Sequence, residues 1–260
     1  MNTKPIAAQM IRVARRCGKM ILSAGEGRIA AEQKTNFRDL VTDFDRRIQE
    51  YAVRALADAF PGAGFLCEEG DAGAAAAADL IFVIDPIDGT SNFVHHFRHS
   101  CTSIACLAEG QPAVGVVFDP YADELFSAER GSGAFLNGRR LAVDPAPLKE
   151  SLVLFGTSPY DGSAAGRTFD RLRALYGDCQ DLRRSGSAAL DLCYVAAGRA
   201  GAFFEERLSL WDYAAGALLV TEAGGVCTQL SGAPLAFDGA GKSSCAAGSA
   251  ANVAALTSLL

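Results

Sequence analysis

The sequence has no excess of basic charge: 24 Lys and Arg stand against 30 Asp and Glu, a net of −6 at pH 7. A surface that neutralises a phosphate backbone needs clustered Lys and Arg, so nucleic acid is not expected as a direct partner. No apolar stretch approaches the ~18 residues needed to cross a bilayer. No secretory leader is read either, because Gln9, Arg12, Arg15 and Arg16 interrupt the first apolar run. These absences predict a cytoplasmic chain without a membrane partner. No two of the eight cysteines, at 17, 67, 101, 106, 179, 193, 227 and 245, form a C-x-x-C pair. They read as small hydrophobes rather than disulfides or zinc ligands. An internal repeat is also lacking.

What is present is the composition of an ordinary globular protein, 50% hydrophobic and 21% charged over 260 residues, enough for one large domain or two small ones. Helical spacing predicts a first helix from Ile6 through Leu22, ending near Gly25 and Gly27, and a second from Asp43 to Phe60, capped by Thr42 or Asp43, with a polar loop from Lys34 to Val41 between them. Strand-like runs follow at Gly64 to Cys67, Leu80 to Ile84, Cys101 to Leu107, Ala113 to Phe118 and Glu124 to Ser127. The alanine-rich piece from Asp71 to Asp79 reads as a mobile loop or short helix. Cys101 and Cys106, five apart, should point to opposite faces of their strand. Asn137-Gly138 signals a hairpin.

From about Ser151 the texture changes to strands alternating with helices: Leu152 to Phe155, Gly166 to Tyr176, Ser187 to Ala197, Ala202 to Phe204 and Asp212 to Ala223. That alternation predicts a parallel or mixed sheet covered by helices. The expected organisation is an α/β fold in two parts, an α+β half over residues 1–150 and an α/β half over 151–260, in one compact unit.

The most informative stretch is Ile84-Asp85-Pro86-Ile87-Asp88-Gly89-Thr90. An apolar run of strand length meets Pro86, which has no N–H for a central strand, so a turn is expected at Asp85. A tight turn would point Asp85 and Asp88 the same way, anchor the Ile87 side chain in the core and leave its carbonyl facing the carboxylates. Oxygen ligands of that kind suit Mg²⁺. Gly89 permits close approach, and Thr90 or Ser91 opens a helix whose free N–H groups can hold an anion. The same residues also suit a plain surface turn. Likewise, Glu68 and Glu69 after a strand could be a solvated loop, and Asp212 at the first position of a helix could be a cap.

Taken together, these acids resemble the inositol monophosphatase family of Mg²⁺-dependent, lithium-sensitive phosphatases, over nearly the whole chain. The marks are Lys34, Asp39-Leu40-Val41-Thr42, Asp45, Glu68-Glu69, Asp85 to Phe93, Gly186-Ser187-Ala188-Ala189, Glu205, Trp211 to Gly216 and Thr221 to Gly225. The resemblance implies a layered αβαβα sandwich of the sugar-phosphatase type, a homodimer, and a site between the two halves of the chain. It implies a first metal on Glu68, Asp85 and the Ile87 carbonyl, a second on Asp85, Asp88 and Asp212, and a third, weaker ion sharing Glu68. By the same likeness Gly89 and Thr90 receive the phosphate, Thr90 with Asp45 and Glu68 orient the attacking water, and Asp88 and Asp212 also border the substrate. His95, His96 and His99 are expected as solvated residues on the helix after Thr90.

The resemblance further implies that Glu205 accepts an inositol hydroxyl, with Ser187 and Ala188 giving backbone contacts. That favours inositol monophosphate as the small-molecule ester. Alternatives are fructose 1,6-bisphosphate, for which Arg98, Arg184 and Arg207 are candidate phosphate partners, and histidinol phosphate. Some bacterial relatives also bind the transcription machinery, which would make this a protein-binding module instead of, or besides, an enzyme.

Overall fold

Amphipathic spacing becomes packing at once in the first helices. The computed structural model describes residues 2–70, 78–159, 161–239 and 241–259; the piece from Asp71 to Asp79 lies mostly outside them. Helix α1 (Lys4–Leu22) buries Ile6, Met10, Val13, Cys17 and Ile21 on one stripe. A short hairpin, β1 (Ala31–Gln33) with β2 (Leu40–Thr42), brackets the segment expected to be loop and takes Leu40 and Val41 from its end. Thr42 then caps α2 (Asp43–Ala59): its hydroxyl accepts from Phe44 N at 3.1 Å, and Asp45 returns the favour by accepting from Thr42 N at 2.7 Å.

Strands β3 (Gly64–Cys67) and β4 (Leu80–Asp88) pair in parallel, and the one-turn helix α3 (Thr90–Val94) follows. An antiparallel meander of β5 (Cys101–Ala108), β6 (Gln111–Asp119), β7 (Glu124–Glu129), β8 (Gly133–Leu136) and β9 (Arg139–Arg140) completes a seven-stranded sheet. The β8–β9 turn is the expected Asn137-Gly138 hairpin, with φ of 49° and 82°, the positive pair a type I′ turn requires.

The second sheet and its helices come from β10 (Leu152–Phe155), α4 (Gly162–Leu175), β11 (Asp181–Arg183), α5 (Ala188–Ala196), β12 (Ala202–Leu208), α6 (Leu210–Glu222), β13 (Val226–Thr228), β14 (Ser243–Gly248) and α7 (Ala250–Leu259). Its five strands run in the order β11-β10-β12-β14-β13, parallel around β10 and antiparallel around β14.

Side-chain alternation stacks these pieces into five layers. On the large sheet, Phe82 and Cys106 join the core under α1 and α2, while Val83, next to Phe82, and Cys101, five residues before Cys106, join the core containing α5 and α6. On the small sheet, Phe203 and Ala247 face that same central layer, whereas Phe204 and Ala246 face α4 and α7. The order is therefore α1/α2, large sheet, α5/α6, small sheet, α4/α7, the expected αβαβα sandwich. All eight cysteines are free.

One expectation fails where it matters. The chain does not turn at Asp85 but continues as strand through Pro86 to Asp88. Pairing with β3 stops at Ile84, so beyond it β4 has β5 alone as a neighbour, and the register slips by one residue: Asp85 faces Ser103, yet Asp88 faces Cys101. Proline is tolerated at such a bulge because no ladder bond is asked of its nitrogen. The slip also has a use. Residues three apart on a regular strand point to opposite faces, and the extra residue brings both carboxylates to one side.

Candidate active site

That bulge forms one wall of a cleft of about 240 Å³, lined by Glu68, Asp85, Ile87, Asp88, Gly89, Thr90 and Asp212 together with Lys34, Asp39, Ser209, Trp211 and Lys242. Each acid arrives on a different support. Glu68 follows β3 directly and donates its N–H to the Ile84 carbonyl at 3.2 Å, while Gln49 on α2 clamps the neighbouring Glu69 backbone with bonds of 2.7 and 2.9 Å. Asp212 is the third residue of α6, not the first as expected, and closes a capping box by accepting from Ser209 N at 2.7 Å. Ile87 is fully buried in the core, and its carbonyl accepts from the Thr90 hydroxyl at 3.0 Å.

Gly89 sits at φ +89°, and a Cβ there would stand 3.0 Å from the His99 carbonyl oxygen, so glycine is required both by conformation and by space. The Thr90 hydroxyl has two acceptors in reach, the Ile87 carbonyl at 3.0 Å and Asp45 Oδ1 at 3.3 Å. It has one proton, so a cation held by the Ile87 carbonyl would turn that proton to Asp45.

The electrostatics identify what the cleft wants. Burial, followed by the charges of Glu68, Asp88 and Asp212, pushes Asp85 well above the usual carboxylate range. Asp212 is raised likewise by burial and then by Asp88 and Glu68. Asp88 rises to about 6 through burial, although bonds from Ser187, Ala189, Ala188 and Gly89 oppose it. Burial also raises Glu68, against the pull of Lys34, which lies 3.0 Å from it and also pairs with Glu69.

Among the described residues no three His, Cys, Asp or Glu side chains form a closed ion cage. The reason is that Glu68 leans to Lys34, Asp88 to Ser187 and Ala189, and Asp212 to Ser209. Asp85 Oδ1, however, is buried with no partner. An orphaned carboxylate oxygen among three further repelling acids fits a hard divalent cation with oxygen ligands.

A second, smaller cavity of about 50 Å³ shares Asp88 and Asp212 with the cleft and is lined by Ser187, Ala188 and Glu205. The strand expected to stop at Phe204 runs on to Leu208, so Glu205 lies inside β12, at the start of a bulge that shifts register before Leu208. Its Oε1 accepts from Ser158 N at 2.7 Å, and burial pushes its pKa up to about 7. Thus the two cavities gather all the residues that the resemblance assigns to the metals, the phosphate and the sugar ring, and Asp45 reaches the site through Thr90.

Two expectations need correction. None of His95, His96 and His99 lies on the helix after Thr90, which ends at Val94; His99 is moreover half-buried, its Nε2 has no partner, and burial lowers its pKa. Of the candidate arginines, Arg98 pairs with Glu26 at 3.1 Å and Arg207 with Asp161 at 2.8 Å. Arg184 alone of the three lines the small cavity. Sequence reading also missed Ser158 and Asp191. Nothing local marks Ser158, whereas Asp191 stands out in retrospect as the one acid in the apolar helix AALDLCYVA.

Comparison with known proteins agrees with this geometry. The chain is 41% identical over 246 residues to the Nus factor SuhB of Xylella fastidiosa, spanning 93% of this chain and 88% of that protein. The crystal structure of the extragenic suppressor protein suhB from Bartonella henselae superposes with a TM-score of 0.92 at 34% identity, covering 98% of each chain. An IMPase from Thermotoga maritima superposes at 0.88 with 32% identity, over 100% of this chain and 96% of that one. A sequence model of the inositol monophosphatase family matches residues 2–259, and the chain belongs to that family.

Proposed function

We propose that the protein is a Mg²⁺-dependent phosphomonoesterase that hydrolyses inositol monophosphate to inositol and phosphate. The single observation that carries this reading is the unpartnered Asp85 Oδ1 among Glu68, Asp88 and Asp212, next to a cavity walled by Glu205. Glu68, Asp85 and the Ile87 carbonyl would hold one ion, Asp85, Asp88 and Asp212 a second, and Glu68 would share a third. Bound there, Mg²⁺ supplies charge to screen the anionic phosphate, acidify a water and stabilise the leaving alkoxide.

The remaining tasks fall to the chain itself. The Gly89 backbone and the Thr90 hydroxyl receive the phosphate. Asp45, raised by burial to about 6, accepts from Thr90 and so aims it at the attacking water, with Glu68 beside it. Glu205 accepts a substrate hydroxyl while Ser187 and Ala188 border the ring. The working molecule is a cytoplasmic homodimer, for which Phe97, 67% exposed beside a cavity lined by Leu152, Leu154 and Tyr194, offers an apolar contact.

A second reading is favoured by the name Nus factor carried by the curated relatives: a protein-binding role in transcription. One assay separates them. Phosphate release with Mg²⁺ is measured on inositol 1-phosphate, fructose 1,6-bisphosphate and histidinol phosphate. Highest kcat/KM on the inositol ester supports the first reading, and silence on all three favours the second.

A further inference from the structure

Asp191 is an acid in the wrong company for a structural residue. It sits in the central layer on α5, is 1% exposed, and its Oδ1 has no hydrogen-bond partner. A buried acceptor left without a donor is costly, the more so when charged, so such an atom in a folded protein calls for a reason. Burial holds its carboxyl well above the usual range; the Ser185 side chain and Arg184 oppose that, and the charges of Asp88 and Glu205 add to it. Those neighbours place it where it matters. Asp191 lines the small cavity with Glu205, Arg184 and Asp88, and Asp88 and Asp212 join that cavity to the cleft of the clustered acids.

Size and polarity restrict what can enter. A cavity of about 50 Å³ compares with the ~30 Å³ that one water occupies in the liquid. It takes one or two hydroxyl-sized groups and excludes a second phosphate. Its two carboxyls come from different elements, Asp191 from α5 and Glu205 from β12. Both line one small space with carboxyl oxygens that accept from a hydroxyl, and that donate to one when protonated, and Arg184 in the same wall disfavours an ammonium group. We propose that Asp191 is a second substrate-reading residue, which together with Glu205 receives two hydroxyl groups on the alcohol half of the ester. The assignment rests on the polyol-phosphatase reading and makes it more specific: the substrate must present two free hydroxyls, and an alcohol with one is discriminated against.

Wild-type enzyme and Asp191→Asn are compared with Mg²⁺ on inositol 1-phosphate, histidinol phosphate and 4-nitrophenyl phosphate. The expected result is a loss of about 10-fold or more in kcat/KM for the inositol ester, carried mainly by KM, with the aryl ester changed less than about 2-fold. An equal loss on both esters, or no loss on either, overturns the role of Asp191. A loss confined to histidinol phosphate overturns the hydroxyl assignment. Failure of the underlying reading is seen before any substitution, as wild-type turnover of the aryl ester without turnover of the inositol ester, and the inference then falls with it. Should the variant not fold, wild-type enzyme is assayed on a series of monodeoxy inositol 1-phosphates. Large losses at two separate ring positions are expected, and a loss at only one overturns the proposal.

Discussion

The Ser187 hydroxyl donates to Asp88 Oδ2 at 2.6 Å across 99 residues of sequence, and the Ala189 amide donates to the same oxygen at 2.7 Å. A carboxylate on the large sheet is thereby oriented by the first turn of α5. Ser187 serves twice, since its oxygen also caps α5 by accepting from Leu190 N at 3.3 Å. Ser187→Ala removes a cap and a charge-assisted bond together, and should cost about 2 kcal/mol in denaturant unfolding. It should also raise the Mg²⁺ concentration needed for half-maximal activity, because Asp88 loses a donor that fixes its direction. Unchanged stability and an unchanged Mg²⁺ titration would remove this bond from the account.

Asp45 tests the water-orienting chain. Its Oδ2 is held by Thr42 N at 2.7 Å and by the Thr42 hydroxyl at 2.5 Å, which leaves Oδ1 for Thr90. Asp45→Asn keeps the shape but presents a donor where an acceptor is needed on one side or the other. A fall in kcat of about 100-fold or more is expected, in the range typical of losing a positioned acid–base group, with the melting temperature lowered by only a few degrees. A wild-type kcat in a folded variant would sever Asp45 from the reaction.

These residues differ in how far the sequence revealed them. Asp85, Asp88 and Asp212 stand beside strong punctuation, a proline, a glycine or a helix start, but each alone also suits a turn or a cap, and only their combined resemblance to the family implies a metal role. The bulge that aligns Asp85 with Asp88 was not legible, because it depends on β3 ending opposite Ile84, a fact of pairing between distant segments. Central strand β14, Ser-Ser-Cys-Ala-Ala-Gly, escaped notice for want of branched or aromatic residues; it is buried because β12 and β13 flank it, not because its sequence favours a strand. Helix α7 lacks a polar stripe, so periodicity gave no purchase on it. Asp191 lay in plain view, but its meaning depends on an oxygen without a partner, which only coordinates disclose.

Burial of the acids, helped by their mutual repulsion, predicts an unusual pH response of the metal-free protein. Asp88 is raised to about 6, and Asp85 and Asp212 stand well above their ordinary range. For a carboxylate whose pKa is higher folded than unfolded, the folded state binds more protons, so stability is gained as pH falls through the folded value and lost as it rises. Asp45 at about 6 and Glu205 at about 7 act in the same direction. In EDTA the melting temperature should therefore climb between pH 8 and pH 6. With saturating Mg²⁺ the cleft charge is compensated, and the protein should melt higher at pH 8 and depend less on pH. Scanning calorimetry at both pH values, with and without the ion, checks this; a metal-free melting temperature that drops from pH 8 to pH 6 contradicts it.

Gly156 offers a sharper probe of the substrate side than any change to Glu205 itself. It follows β10 directly, and its N–H donates to the Phe204 carbonyl at 3.1 Å, so its backbone is fixed against β12. A Cβ built there would lie 1.8 Å from Glu205 Oε2 and 2.0 Å from its Cδ. No real contact is that short, and the carboxylate has little room to yield, being 6% exposed and tied to Ser158 N at 2.7 Å. Gly156→Ala must therefore push Glu205 off Ser158, leaving a buried donor unmade and the hydroxyl-reading oxygen displaced. About 1–3 kcal/mol of stability should be lost. KM for inositol 1-phosphate should rise about 10-fold or more, while 4-nitrophenyl phosphate, which has no hydroxyl for Glu205 to read, keeps a near wild-type kcat/KM. The split between the two esters is the informative quantity, because general destabilisation would lower both alike. A folded Gly156→Ala enzyme with unaltered KM for the inositol ester would show that Glu205 does not touch the substrate.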